Sequence, residues 1–102
     1  MAKFVYVYTG GQSASTPQEQ EAVMGKWMAW FGELGSAVKD GGNPFGASAT
    51  VSPGGAITTG EAKAGGYSII EADSLEAATT LAKGCPGLDG GGAVEVYEAL
   101  DM

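Results

Sequence analysis

A chain of 102 residues is long enough for one hydrophobic core and too short for two domains that each bury their own, so a single domain is expected. Five basic residues against twelve acidic ones give a net charge of −7, which repels a polyphosphate backbone and an anionic bilayer surface alike and argues against nucleic acid and membrane as partners. One cysteine permits no intrachain disulfide and suits a reducing, cytoplasmic setting.

The run Phe4-Val5-Tyr6-Val7-Tyr8 is too short and too β-branched for a signal-peptide core and predicts a first strand over residues 4–9. A first helix is announced by Thr16-Pro17-Gln18-Glu19, in which Thr16 caps, Pro17 takes the first helical position and Glu19 can return the capping hydrogen bond. Val23, Trp27, Trp30, Phe31 and Leu34 then recur along one helical face, and Gly35 ends it. The stretch 22–38 is nearly apolar but carries Lys26 and Glu33, too interrupted for the roughly 20 apolar residues of a spanning helix. Further strands are predicted at 37–40, 47–51, 67–72 and 93–100, with the short run 56–59 extending or pairing with the strand at 47–51 as a hairpin. A second helix opens at Asp73-Ser74-Leu75-Glu76, carries a narrow stripe of Leu75, Ala78 and Ala82 widened by Leu81, and stops at Gly84 and Pro86. The paired glycines at 10–11, 41–42, 54–55 and 90–92 fall between these segments as turns, and no internal repeat or linker interrupts them.

One helix follows the first strand and another sits between the last two, which is the split βαβ order of an α+β, ferredoxin-like βαββαβ domain. Its strands are not cleanly amphipathic: Phe4, Tyr6 and Tyr8 point one way and Val5 and Val7 the other, while Tyr67 and Ile69 oppose Ser68 and Ile70. Helices cover only one face of such a sheet, and the simplest cover for a second apolar face is a second copy. A homodimer packed sheet to sheet, as a dimeric α/β barrel, is therefore expected.

The residues with chemical potential are aromatic and acidic. Trp27 and Trp30 at helical spacing read first as core, with Trp27 also a candidate for lining a ligand pocket. Tyr6, Tyr8, Tyr67 and Tyr97 each join an apolar ring to a hydroxyl and can furnish a cleft from strands. Glu71 shares a strand face with Tyr67, and Glu95 with Tyr97; a carboxylate among aromatics is a candidate acid or base, although a solvated role is commoner. Asp40 and Asn43, in a Gly/Pro turn, offer polar groups to a ligand or cap the turn. Cys85 lies past the end of the second helix, where the helix dipole disfavours a thiolate. With no histidine, one thiol and scattered carboxylates, no metal site is expected, and no phosphate-cradling glycine motif suggests a cofactor.

The run Gly65-Gly66-Tyr67-Ser68-Ile69-Ile70-Glu71-Ala72-Asp73-Ser74-Leu75-Glu76-Ala77-Ala78, followed by Leu81-Ala82-Lys83-Gly84-Cys85-Pro86 and a closing Val94-Glu95-Val96-Tyr97, resembles the YCII-related family, which includes the DGPF-domain proteins. The resemblance implies a ferredoxin-like fold, dimers of the α/β-barrel kind, and, in members with a known or proposed activity, a small hydrolase or dehalogenase using a histidine and an aspartate as an acid/base pair. This chain departs from that pattern. By register from Gly41-Gly42-Asn43-Pro44, Trp27 stands where the helical histidine is expected, and tryptophan cannot shuttle a proton at neutral pH. Asp40, just before that turn, resembles the aspartate half of the pair, and the DGPF signature is absent, with Thr59-Gly60-Glu61-Ala62 near its expected place. Three readings follow: a dimeric module holding a small apolar or aromatic ligand in a tyrosine-lined cleft, a cofactor-free monooxygenase-like or hydrolytic enzyme, and a structural or regulatory partner protein. The residues leave open whether the chain is an enzyme.

Overall fold

The computed structural model describes residues 2–10, 16–59 and 64–101. Its elements run β1 (Ala2–Thr9), α1 (Pro17–Leu34), β2 (Val38–Asp40), β3 (Ala49–Val51), β4 (Ile57–Thr59), β5 (Ala64–Ala72), α2 (Leu75–Ala82) and β6 (Ala93–Ala99). Four strands form one sheet in the order β2-β5-β1-β6, with every neighbouring pair antiparallel. Because β1 and β2 both run against β5, and β5 and β6 both run against β1, the chain makes two interleaved parallel βαβ units. That is the α+β, ferredoxin-like arrangement expected from the element order.

Both helices begin where capping chemistry places them. The Thr16 hydroxyl accepts from the Glu19 N–H at 3.1 Å, and the Ser74 hydroxyl accepts from the Ala77 N–H at 3.1 Å, each satisfying a donor that a helix start leaves unpaired. Glu76 sits one position short of reciprocating the second cap and acts there only as negative charge in the first turn.

Strand register assigns the faces of the sheet. Phe4 pairs with Ile70 and Tyr6 with Ser68 on one side of β1, and Tyr6 with Val96 and Tyr8 with Val94 on the other. These residues form the inner face. Phe4, Tyr6, Ile70 and Ala72 bury there against Trp30 and Leu34 of α1 and Ala78 and Ala82 of α2. Tyr6 crosses the layer, donating its hydroxyl to the Ala78 carbonyl and stacking at 6.0 Å on Trp30, whose indole N–H reaches the Leu81 carbonyl at 3.3 Å. The opposite face presents Val5 and Val7 beside Ile69 and Tyr67, with Tyr97 beyond Val5. No described element packs over it.

Several segments differ from expectation. The strand at 47–51 forms as β3 but leaves the main sheet and pairs only with β4, as a hairpin of Ala49–Thr59, Thr50–Thr58 and Val51–Ile57 partners. Pro44, which makes an isolated bridge to Gly66 and has no N–H to extend a ladder, stands where the chain departs. Leu75 is 51 % exposed and Leu81 also points outward, so α2 packs through small alanines that let it lie close on the sheet. Val23 is 42 % exposed, because the first half of α1 stands over an open cleft and not over the core. The turn expected at 10–11 includes Gly11, and the segment compared with the DGPF signature includes residues 60–62; both lie outside the described residues. Among the described residues no helix is long and apolar enough to cross a membrane.

Candidate functional site

The cleft begins with the way β2 ends. Asp40 accepts the Gly42 N–H on its side-chain oxygen at 2.8 Å, closing an Asx turn. Gly42 takes φ +76° and passes so close to β5 that a Cβ there would fall 2.6 Å from the Tyr67 carbonyl carbon; only glycine fits both constraints. Beyond it, the Tyr67 N–H donates to the Asn43 carbonyl at 3.3 Å, and the Phe45 N–H to the Gly65 carbonyl at 2.9 Å, while the Phe45 ring stacks on Tyr67 at 5.7 Å. Gly66, where a Cβ would meet Asn43 and Pro44 at 3.1 and 3.2 Å, lets the loop lie against the strand. The segment Gly41–Phe45 is thereby fixed to β5 by main-chain contacts, and it forms one wall.

The opposite wall is α1, and the floor is the end of β1. Met24, Trp27 and Phe31 face the Gly41–Pro44 loop across a cleft of about 440 Å³ floored by Tyr8 and Ser68. Tyr8 meets Trp27 edge to face at 4.8 Å, and Trp27 in turn contacts Phe31 at 6.0 Å. Ladder pairing shifts register between Tyr8 and Thr9, so the sheet is irregular beside the cleft, a common setting for a site. None of the described lining residues carries a charged side chain.

The polar part of the floor is a short chain of hydroxyls. The Tyr8 hydroxyl donates to Ser68 Oγ at 2.8 Å, and the Ser68 hydroxyl donates to the Gly41 carbonyl at 2.7 Å. Ser68 is fully buried. Burial pushes the Tyr8 phenol up to about 12, with the Ser68 hydrogen bond acting in the other direction. Tyr6, one pleat away, is also raised to about 12, chiefly by burial and then by its neighbour Tyr8. Both phenols are neutral at ordinary pH, and neither is a base.

The candidate residues are thus divided among four places. Tyr8, Trp27 and Asn43 line the cleft; Tyr67 also borders it, but register with Val7 puts its side chain on the opposite face of the sheet, where the ring stacks on Phe45. Tyr6 is buried in the core, with its hydroxyl taken by α2. Asp40 braces the loop from behind. Glu71, Glu95 and Tyr97 lie on the opposite face of the sheet: Glu71 pairs with Lys39 at 3.4 Å, and Tyr97 donates its hydroxyl to Glu95 at 3.1 Å, which raises the Tyr97 phenol. No arrangement brings either glutamate to the cleft. Sequence reasoning placed Phe31 only in the core stripe and passed over Met24 and Ser68. Phe31 and Met24 carried a signal, since they flank Trp27 at helical spacing; Ser68 in a strand carried none.

A second opening lies on the other side of Trp27, about 500 Å³ in volume and bounded by Val23, Lys26, Pro86 and Asp89. Cys85 is buried nearby, 2 % exposed, and burial pushes its thiol up, so it does not supply a nucleophile. Among the described residues no group of three histidine, cysteine or carboxylate side chains is placed to hold a metal ion.

An α+β sheet of this order with an aromatic cleft beside one edge defines a ferredoxin-like domain. The fold is shared with the 5-chloro-2-hydroxyhydroquinone dehydrochlorinase TftG from Burkholderia phenoliruptrix AC1100, a structure solved in complex with 2,5-dihydroxybenzoquinone, at a TM-score of 0.60 and 18 % identity over 98 % of this chain and 95 % of that one. At that identity the likeness is one of fold. No family model matches the chain, and no curated protein matches it.

Proposed function

We propose that this protein is a binding module for a small, planar, largely apolar molecule, held in the cleft between α1 and the Gly41–Pro44 loop, and that it is a histidine-less relative of the YCII-related proteins. The observation that carries this reading is the cleft itself: about 440 Å³ walled by Trp27 and Phe31, floored by Tyr8, and lined without charge among the described residues. That size suits a single ring system, since ligand pockets run from about 300 to 1,000 Å³ and are lined mainly by apolar and aromatic groups with a few placed polar ones. A purely structural role predicts a space filled by Trp27, Trp30 and Phe31; Trp30 is buried, but the other two rings leave the space open. The His/Asp chemistry of active family members finds no counterpart, because Trp27 cannot transfer a proton and Asp40 is engaged in a turn. TftG was solved with a planar quinone, a ligand shape in keeping with this reading.

The reading includes a homodimer in the cytoplasm. The molecule is a slab of 44 × 42 × 19 Å, one helix layer on one sheet layer, and Val5, Val7, Ile69, Tyr67 and Tyr97 lie on the uncovered side. A second sheet packed face to face about 10 Å away would cover them. Sedimentation equilibrium tests this: Val7→Glu is expected to convert a dimer to a monomer, and a wild-type monomer at tens of micromolar removes the dimer from the proposal. For the cleft, calorimetric titration with simple neutral phenols, on wild type and on Trp27→Ala, is the deciding experiment. Binding that Trp27→Ala abolishes is expected; wild-type protein that binds none of them at millimolar concentration refutes the reading.

A further inference from the structure

The hydroxyl chain in the cleft floor has a direction, set by the carbonyl at its end. A carbonyl oxygen can only accept, so the contact between Ser68 Oγ and the Gly41 carbonyl at 2.7 Å consumes the one proton that Ser68 has. The contact between Tyr8 Oη and Ser68 Oγ at 2.8 Å must then use the Tyr8 proton. Ser68 is 0 % exposed, and turning its hydroxyl toward Tyr8 would give up the 2.7 Å bond to the Gly41 carbonyl, so only this direction keeps both contacts. Tyr8, its proton committed, has only oxygen lone pairs left to offer a molecule in the cleft. Two main-chain donors beside it are already engaged: the Gly42 N–H by Asp40, and the Tyr67 N–H by the Asn43 carbonyl.

Resting on the reading of this cleft as a ligand site, we propose that it selects neutral aromatic molecules that carry a hydrogen-bond donor, a phenolic hydroxyl above all, with Tyr8 Oη as the accepting atom and Ser68 as the residue that fixes its polarity. The ring lies against Trp27 and Phe31, and its hydroxyl proton points to Tyr8. A phenolate or carboxylate would meet the Tyr8 lone pairs and, among the described lining residues, no cation, and is disfavoured. An aryl ether presents an acceptor to an acceptor and loses the bond, with a site built around a hydroxyl discriminating strongly against the analogue that lacks it. The Tyr8 phenol, raised to about 12 by burial, remains neutral across the pH range in which simple phenols are neutral too.

The test compares 4-ethylphenol with 4-ethylanisole by calorimetric titration of the full chain near pH 7, on wild type, Tyr8→Phe and Ser68→Ala. Wild type is expected to prefer the phenol by about tenfold, the ratio that one well-formed hydrogen bond confers. Tyr8→Phe removes the accepting oxygen and keeps the ring, so the preference disappears. Ser68→Ala releases the Tyr8 proton, which then serves an ether oxygen, and the preference shifts toward the anisole; a merely structural role for Ser68 would weaken both ligands together. Equal wild-type affinity for the two, or a preference that survives in Tyr8→Phe, overturns this inference while the cleft remains a ligand site. Failure of wild type to bind either ligand overturns the ligand site and the inference with it. If one variant does not fold, the wild-type ratio and the other variant decide.

Discussion

Replacing Gly42 by alanine sets two of the cleft's constraints against each other. At φ +76° a side chain costs about 1–2 kcal/mol from local sterics alone, and the new Cβ would also lie 2.6 Å from the Tyr67 carbonyl carbon and 3.2 Å from the Ser68 Cα. Both are backbone atoms of a central strand, so no rotamer change relieves the clash. The loop must lift away instead, and its attachments set the ceiling. These are the Tyr67–Asn43 and Phe45–Gly65 backbone bonds, the Ser68–Gly41 bond and the Phe45–Tyr67 stack, at about 1 kcal/mol each. Gly42→Ala is thus expected to cost about 2–4 kcal/mol and to abolish ligand binding. Gly41→Ala is the internal control, because its Cβ meets nothing within 4 Å; a residue stiffened without strain is neutral or slightly stabilising. With urea slopes of about 1–3 kcal/mol per molar for small domains, the two variants should differ in unfolding midpoint by about 1 M or more. If they unfold within about 0.5 kcal/mol of each other, the loop is not held to β5 as described.

Tyr6→Phe removes the bond from the Tyr6 hydroxyl to the Ala78 carbonyl; a loss of about 1 kcal/mol is expected in urea denaturation, and unchanged stability would show that the bond contributes nothing. Alkaline titration probes the same pair of phenols. Tyr6 and Tyr8 are raised from 10.0 to about 12, so the unfolded chain loses these protons first as the pH climbs. The stability they contribute is fully present below pH 10 and disappears between pH 10 and 12. Tyrosinate absorbance rising together with unfolding in that window is the expected signature, and full ionisation near pH 10 in a still-folded chain is the contrary one.

Much of this architecture was legible from local grammar. Thr16-Pro17 and the Asp73–Glu76 run placed both helix starts, the second within one residue of the observed Ser74 cap, since a cap is decided within four residues. The alternation of Phe4, Tyr6 and Tyr8 against Val5 and Val7 assigned two faces before any partner strand was known. What depended on distant partners was not legible. The strand at 47–51 has a normal β pattern, and nothing local says that it pairs away from the main sheet. Glu71 and Tyr8 lie on opposite faces because of the β1–β5 register, which pairs Glu71 with Lys3 and Tyr8 with Gly66; sequence alone does not supply that register. The Tyr8–Ser68–Gly41 chain joins residues 60 and 27 positions apart, and no periodicity marks them.

The β3–β4 hairpin turns at Ser52–Ala56, with the Ser52 N–H bonded to the Ala56 carbonyl at 2.8 Å, and its six strand residues are all exposed. An element joined to the domain at one end and closed by its own turn makes a natural handle. A fluorophore or an affinity peptide grafted between Pro53 and Gly55 would report on the protein, or immobilise it, with no residue of the cleft in the altered segment.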